Sequence, residues 1–537
     1  MIQITKIARW FLSVLLLLQW GCAKEESPPV EPDPVLPSAI ATESARLAIG
    51  SNATCTFRFE VTPADASLVT NLSSADCNIA LHVGDNRESP EHYTLQKVTR
   101  VIENGIAKPG QYLAQLRDRG TSKEYKEKFR VGVRLKSDGD QWLYSDPVTI
   151  ERDDMPLVEV PTGLPVLHIQ TDENRPIVSK EVYLSAQMKI VGNEAFPDFE
   201  KSPITIRGRG NSTWTYPKKP YAVKLNKKSE VMGMPAHKSW VLLANWMDRT
   251  LLRNRVSFYI AEQTGLAWTP RSRFVEVVIN GKHVGNYLLC EQIKVDANRV
   301  NVTSLKSSHT DEATISGGYL LELDTYFDEV NKFRTDLLKL PVMLKDPDEE
   351  TLNTPQFNYI RNYFNRAEQL IFSEEADLRQ QSAEYIDFDS FIDWWFVHEL
   401  AGNEEPKHPK SSYMHKERNG KLCAGPVWDF DWETFLHEPK FLVKNHIWYS
   451  GLFRNPAFVT RVKERWTMLK PRFVGVSDFI VREREAIRQS WALNATMWPL
   501  NPGVNQDEAL DFDAAAARLQ KKYEAKLKWL DAAIEAL

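Results

Sequence analysis

From about residue 40 to 155 the chain alternates apolar and polar positions in short runs. Examples are Thr56-Phe57-Arg58-Phe59-Glu60-Val61 and Lys128-Phe129-Arg130-Val131-Gly132-Val133-Arg134-Leu135. Alternation with period two places one set of side chains on a buried sheet face. Turn clusters separate the runs and no long helical period interrupts them. The pattern predicts an all-β domain over 39–155, a sandwich of immunoglobulin-like size. No catalytic constellation falls within it.

A boundary follows at Pro156 to Leu164, and from there the pattern is mixed. Strands are predicted at 165–170, 183–191, 203–208, 220–225, 274–279, 284–290 and 317–324. A helix is predicted over 250–263, and Asn280-Gly281-Lys282 reads as a hairpin turn. After about 350 the helical period dominates, with helices at 355–372, 387–402, 456–471, 475–492 and 508–536. The fold class is α+β. A β-rich stretch of about 163–345 followed by an α-rich one of about 346–537 suggests two lobes with a cleft between them.

The N-terminus reads as an address. Lys6 and Arg9 precede the apolar run Trp10 to Leu18, which is short for a membrane span and ends at Gly21-Cys22. That order is a secretory signal over 1–22. A small residue before a cysteine resembles a lipobox and makes Cys22 the candidate lipidation site; an ordinary cleaved signal is the alternative. Ala23-Lys24-Glu25-Glu26 resembles the acidic export tag of bacterial surface lipoproteins. Residues 23–38 are rich in proline and form an extended tether. The expectation is a cell-envelope protein, an outer-membrane or surface lipoprotein held by its lipid anchor. Cys55 and Cys77 are then candidates for a disulfide.

Length and charge narrow the picture further. The 537 residues imply two or three domains, and the net charge of −5 gives no basic footprint for nucleic acid.

Three stretches carry candidate chemistry. In Ile206–Leu225, Gly208 and Gly210 alternate with Arg207 and Arg209 before Asn211, and Lys218, Lys219 and Lys224 follow. Glycines let a backbone approach an anion or adopt positive φ, and arginine suits phosphate. Tyr221, Val223 and Leu225 share one face of the following strand, with Ala222 and Lys224 on the other. The alternative is a basic hairpin without a ligand. In Trp428-Asp429-Phe430-Asp431-Trp432 an extended backbone would put Asp429 and Asp431 on one face. There they repel unless a cation or a shared proton compensates, and they are candidate metal ligands; salt-bridged acids at a strand end are the alternative. Third, Asn403-Glu404-Glu405 follows a helix that ends at Gly402 and is broken by Pro406. His398-Glu399 is not part of an H-E-x-x-H motif, so a zincin is excluded.

Together with Trp240–Asn245, Asp248, Leu252-Arg253-Asn254, Ile279–Gln292, Gly317–Glu322 and Lys345–Asp348, these stretches resemble the CotH family of atypical protein kinases. The resemblance runs from about 163 to 440. It implies a two-lobed protein-kinase-like domain and phosphorylation of protein Ser/Thr with ATP and Mg²⁺ or Mn²⁺. Arg207, Gly208, Arg209, Gly210 and Asn211 would cover the phosphates and Lys224 or Lys219 would pair with them. Glu291 would sit where the lobes join. Asp429 and Asp431 resemble the family's D-W-D metal motif, with Phe430 in place of its tryptophan and no arginine after Trp432. Where the family reads N-x-D, this chain has Glu405 as the candidate base. Lys410, Ser411 and Ser412 stand where a metal-binding asparagine is expected. A pseudokinase that binds a surface protein or glycan, and a metal-dependent glycan-active enzyme, are the alternatives.

Overall fold

A computed structural model describes residues 157–498 and 503–537, Met155, and before them the strands between Ile40 and Arg152 with Ser145 and Asp146. The signal segment, Cys22 and the tether lie outside the described residues. The chain divides into two compact units, Met1–Asp154 and Met155–Leu537.

In the first unit the described residues form β1 (Ile40–Thr42), β2 (Arg46–Ile49), β3 (Thr54–Val61), β4 (Cys77–Val83), β5 (Tyr93–Glu103), β6 (Ile106–Asp118), β7 (Lys128–Leu135), β8 (Trp142–Tyr144) and β9 (Val148–Arg152). They make two sheets, β1-β3-β6-β5 and β2-β9-β7-β4, with β8 on β7. Phe59 and Tyr112, opposite each other in β3 and β6, are buried and stacked at 5.5 Å. Cys55 lies in β3 and Cys77 in β4, on different sheets. Their side chains lie outside what is described.

The second unit begins with β10 (Val166–Thr171), β11 (Leu184–Val191), β12 (Phe199–Gly208), β13 (Tyr221–Val231), β14 (Met234–Leu243), β15 (Ser272–Ile279) and β16 (Lys282–Glu291). These close into a barrel in the order β10-β11-β12-β13-β14-β16-β15, sealed by parallel pairing of β10 with β15. Alternation explains the barrel wall. Ile204, Ile206, Val223, Leu225 and Leu242 fill the interior, while Arg207 pairs in register with Ala222, and Thr205 with Lys224, on the outer face. Asn280 and Gly281 both take positive φ, 51° and 74°, which matches a two-residue hairpin turn to the twist of β15 and β16. Helix α1 (Arg253–Glu262) lies between β14 and β15 in sequence.

After the barrel come α2 (Glu312–Ile315), β17 (Tyr319–Leu323), β18 (Lys332–Arg334), β19 (Pro341–Asp346), α3 (Thr354–Ile371), α4 (Ala376–Tyr385), α5 (Phe388–Ala401), β20 (Ser412–Lys416) and β21 (Leu422–Ala424). The five strands form one sheet, β18-β19-β17-β20-β21. The chain ends with α6 (Tyr449–Leu452), α7 (Pro456–Val474), α8 (Val476–Met497) and α9 (Phe512–Glu535). Helix α5 is buried along its whole length from Phe391 to Ala401 and is the central rod of a core shared with α1, α3 and the C-terminal helices. Asp387 caps its start by accepting from Ser390 N at 2.7 Å, and Gly402 ends it at φ 66°.

Several features differ from the sequence expectation, among them the ten-residue barrel strand β14 (Met234–Leu243), which was not among the predicted strands. The short strands β18 to β21 were not legible because three to six residues carry too little period, and the ten-residue helix α4 was not because it is mostly polar and buries little. Helix α1 starts three residues late, since Asp248 holds Thr250 and Arg253 in a turn before it. The 428–432 segment is an irregular loop rather than a strand, and Asp429 sits at φ 65°, a left-handed conformation that aspartate tolerates. The grouping of side chains survives: Trp428 and Phe430 both pack on Phe258, while Asp429 and Asp431 both reach the cleft described next.

Candidate functional site

A cleft of about 530 Å³ opens between the outer wall of the barrel, the central strands β19, β17 and β20 of the five-stranded sheet and the 428–431 loop. It brings together two of the three candidate stretches. Arg207, Gly208, Arg209, Gly210 and Asn211 line one side and Asp429 and Asp431 the other.

The glycine loop is positioned by contacts of its own. Arg207 donates to the Lys180 carbonyl at 2.7 Å and its guanidinium lies 4.6 Å over the Tyr183 ring. Asn211 accepts from Lys180 at 3.0 Å and reaches Asp328 at 3.5 Å. Gly210 takes φ 82°, as an anion loop would require. Gly208 has a different reason: a Cβ there would meet the Trp214 ring at 2.2 Å, so glycine serves packing. Arg209 crosses the cleft, 5.5 Å over the Trp428 ring.

The acids converge on the far side. The Asp429 and Asp431 carboxyls act directly on each other. Burial raises both, Arg209 pulls Asp429 back down, and Asp429 and Asp248 push Asp431 further up. Glu405 stands behind them, outside the cleft lining. Burial, then the charges of Asp429 and Asp431, hold its carboxyl well above the usual range. Its Oε2 is buried and takes no hydrogen bond among the described residues. Asn403 ties the two loops: its Oδ1 accepts from Glu405 N at 2.9 Å and its Nδ2 donates to the Asp429 carbonyl at 3.3 Å. Lys410 lies 5.4 Å from the Tyr326 ring and 5.9 Å from that of Trp432, and its charge offsets part of the acid field at Glu405.

The two lysines expected to pair with phosphate, and Glu291, expected where the lobes join, do not line the cleft. Lys219 donates to the Trp214 carbonyl at 2.8 Å, away from the cleft. Lys224 keeps the expected face but is exposed and does not line the cleft. Glu291 is buried, accepting from Arg271 N at 3.0 Å and pairing with its guanidinium at 2.9 Å. All three are corrected to structural or solvent-facing positions, because each side chain finds a nearer partner, or water, on its own side of the barrel.

Other residues take their place. Lys345 on β19 pairs with Glu322 of β17 at 3.2 Å and with Glu329. Glu322 also takes the Tyr413 hydroxyl. Two residues on, Asp324 accepts from Tyr326 N at 2.7 Å and Ser411 N at 3.0 Å, and its charge acts on Asp429 and Glu405. Lys218 is fully buried, donates to the Asn286 carbonyl and lies 4.6 Å over Tyr287; burial lowers its pKa to about 7. The signal for Glu322 and Asp324 was present in Tyr319-Leu320-Leu321-Glu322-Leu323-Asp324, where acids interrupt an otherwise apolar strand.

A loop of arginines and glycines thus faces a cluster of buried carboxyls whose pKa values are raised. Such a cleft suits a polyanion on one side and a hard cation on the other. The chain matches the family model for CotH kinase protein over residues 206–530. The match covers more than half of its length and all the residues of this cleft from Arg207 onward, and the chain belongs to that family of kinase-like proteins. No curated protein matches it. Among solved structures, FdeC, an Escherichia coli adhesin, aligns at 12% identity over 38% of this chain and 57% of that one, with a TM-score of 0.15. Likeness at that level carries no argument.

Proposed function

We propose that this protein is an ATP- and Mg²⁺-dependent kinase for protein Ser/Thr, displayed outside the cytoplasm as a lipoprotein. The observation that supports it most is the cleft in which Arg207–Asn211 faces Asp429 and Asp431, with Glu405 behind them. On this reading the barrel and the helical remainder of the second unit are the two lobes, and the first unit is an immunoglobulin-like spacer. Lipid on Cys22 would anchor it through the 23–38 tether.

The acids fit a divalent cation. Their donors are all oxygen, Asp429 and Asp431 are buried together with raised pKa values, and Glu405 Oε2 is buried without a hydrogen bond among the described residues. Asp429 and Asp431 would hold Mg²⁺ or Mn²⁺, leaving Glu405 as the base. When bound, the ion would neutralise phosphate charge.

The chain's own residues do the rest. Arg209 and the backbone of Gly208–Asn211 hold the triphosphate, and the Asn403 hydrogen bonds hold Glu405 in place. Glu405 takes the proton of the acceptor hydroxyl as that oxygen bonds to the γ-phosphorus and the bond to ADP breaks. Raised basicity suits a carboxylate to that task.

One observation favours a second reading, a pseudokinase that binds a surface protein or glycan. Lys410, near the position of the family's second metal-binding asparagine, places a cation beside the acids. Transfer of labelled γ-phosphate from ATP to the protein itself and to a mixed protein acceptor separates the two. The kinase reading expects transfer that needs Mg²⁺ or Mn²⁺ and is lost in Glu405→Ala while ATP binding remains. Binding without transfer by the wild-type protein supports the pseudokinase.

A further inference from the structure

Five cations line the cleft; three are held by local hydrogen-bond acceptors and a fourth is stacked on an indole. Arg207 is held by the Lys180 carbonyl, Lys180 by Asn211, Arg209 lies on Trp428, and Lys218 is sealed under Asn286 and Tyr287. Lys345 differs. Its ammonium projects into the cleft from β19, opposite the glycine loop, and is bound by two carboxylates of unequal standing. Glu322 is buried, with its side chain 8% exposed, and is anchored by the Tyr413 hydroxyl. Glu329 is 38% exposed and comes from the 324–331 loop between β17 and β18. The same loop sends Asp328 to Asn211 of the glycine loop. Two acids of one exposed loop therefore occupy donor groups, the Lys345 ammonium and the Asn211 amide, of a cleft suited to a polyanion.

We infer that Lys345 is the lysine that holds the nucleotide's phosphates, with Glu322 as its permanent positioning partner and Glu329 as an exchangeable one that the phosphates displace. This deepens the nucleotide reading and rests on it. A lysine with three donors can keep one carboxylate while trading another for a phosphate oxygen. Glu322 keeps the ammonium charged and aimed, since among the described residues its desolvated carboxylate forms an ion pair with Lys345 alone. Glu329, in contact with water, gives up its place at small expense. The inference assigns the role of the absent Lys219 and Lys224 to a residue from a different strand.

The two glutamates then have opposite effects, which a purely structural ion triad would not produce. In the full mature chain, Kd is measured for ATP with Mg²⁺, for inorganic triphosphate with Mg²⁺, and for adenosine. Lys345→Met is expected to weaken ATP and triphosphate by about tenfold or more and leave adenosine unchanged. Lys345→Arg should recover part of the loss. Glu322→Gln should weaken ATP, whereas Glu329→Gln should tighten it, because a competitor for the ammonium is gone. If Glu322→Gln fails to fold, Lys345→Met and Glu329→Gln carry the test. Unchanged triphosphate affinity in Lys345→Met, or weaker ATP binding in Glu329→Gln, overturns the assignment while leaving the nucleotide reading intact. Absence of ATP binding by the wild-type protein overturns both.

Discussion

Arg209 of the glycine loop and Trp428 of the acid loop meet across the cleft, guanidinium over indole at 5.5 Å. The contact places a positive charge beside Asp429, where it opposes the rise that burial imposes on that carboxyl. Removing the arginine leaves the Asp429–Asp431 pair more basic. Arg209→Gln should therefore shift the pH dependence of Mg²⁺ binding towards alkaline pH and weaken ATP binding. Titration of metal-induced stabilisation against pH, wild type beside variant, checks this; superimposable profiles would contradict it.

Acids that repel in a buried site destabilise the metal-free protein. Burial and the charge of Asp429 raise Asp431 well above the usual carboxylate range. Neutralising one member relieves that repulsion, so Asp431→Asn should unfold at a higher temperature than wild type without metal. It should also gain much less from added Mg²⁺. The difference is expected at roughly 1–3 kcal/mol. A lower metal-free melting temperature, with metal stabilisation retained, would count against a metal role for Asp431.

Lys218 makes a separate prediction about pH. Burial lowers its pKa from 10.5 in the free side chain to about 7 in the fold. Between those values the unfolded chain keeps a proton that the folded protein releases, so stability rises with pH across that window. The destabilisation is fully present below pH 7. In denaturant unfolding, the gap between wild type and Lys218→Met should move in favour of wild type from pH 7 to 10, by up to about 1.4 kcal/mol per pH unit. A gap independent of pH would show that the ammonium stays charged.

The two glycines of the loop should respond differently. Gly208→Ala drives a Cβ against the Trp214 ring, so it should lower stability in the absence of any ligand by about 1–3 kcal/mol. Gly210→Ala must adopt φ 82° and would meet Thr213 Oγ1 at 2.0 Å, so it distorts the loop that faces the cleft. It should impair ATP binding more than Gly208→Ala does at equal stability. Unfolding and binding curves for both variants decide it.

How much was legible in the sequence depended on how far each signal reaches. Alternation through Tyr221–Leu225 gave the correct inward face, because a strand's period is local. The same pattern did not reveal that Lys224 ends in solvent, which depends on where the barrel wall passes the cleft. Glu291 sits at the end of β16, as its apolar run implies, yet Arg271 from the neighbouring segment captures it. Lys345 and Glu322 lie 23 positions apart and become partners only through the pairing of β17 with β19. No window along the chain displays that relation. The acid pair was legible because its two members stand two residues apart.

Metal-dependent ATP binding tests the central claim most directly. The mature chain and its Asp429→Asn/Asp431→Asn variant are titrated with ATP, with and without Mg²⁺, and binding is read by calorimetry and thermal shift. The account predicts that the wild type binds ATP only when the cation is present and that the folded double variant does not respond. A folded wild-type protein that binds no nucleotide with any divalent cation, or a double variant that binds as well as wild type, would contradict it.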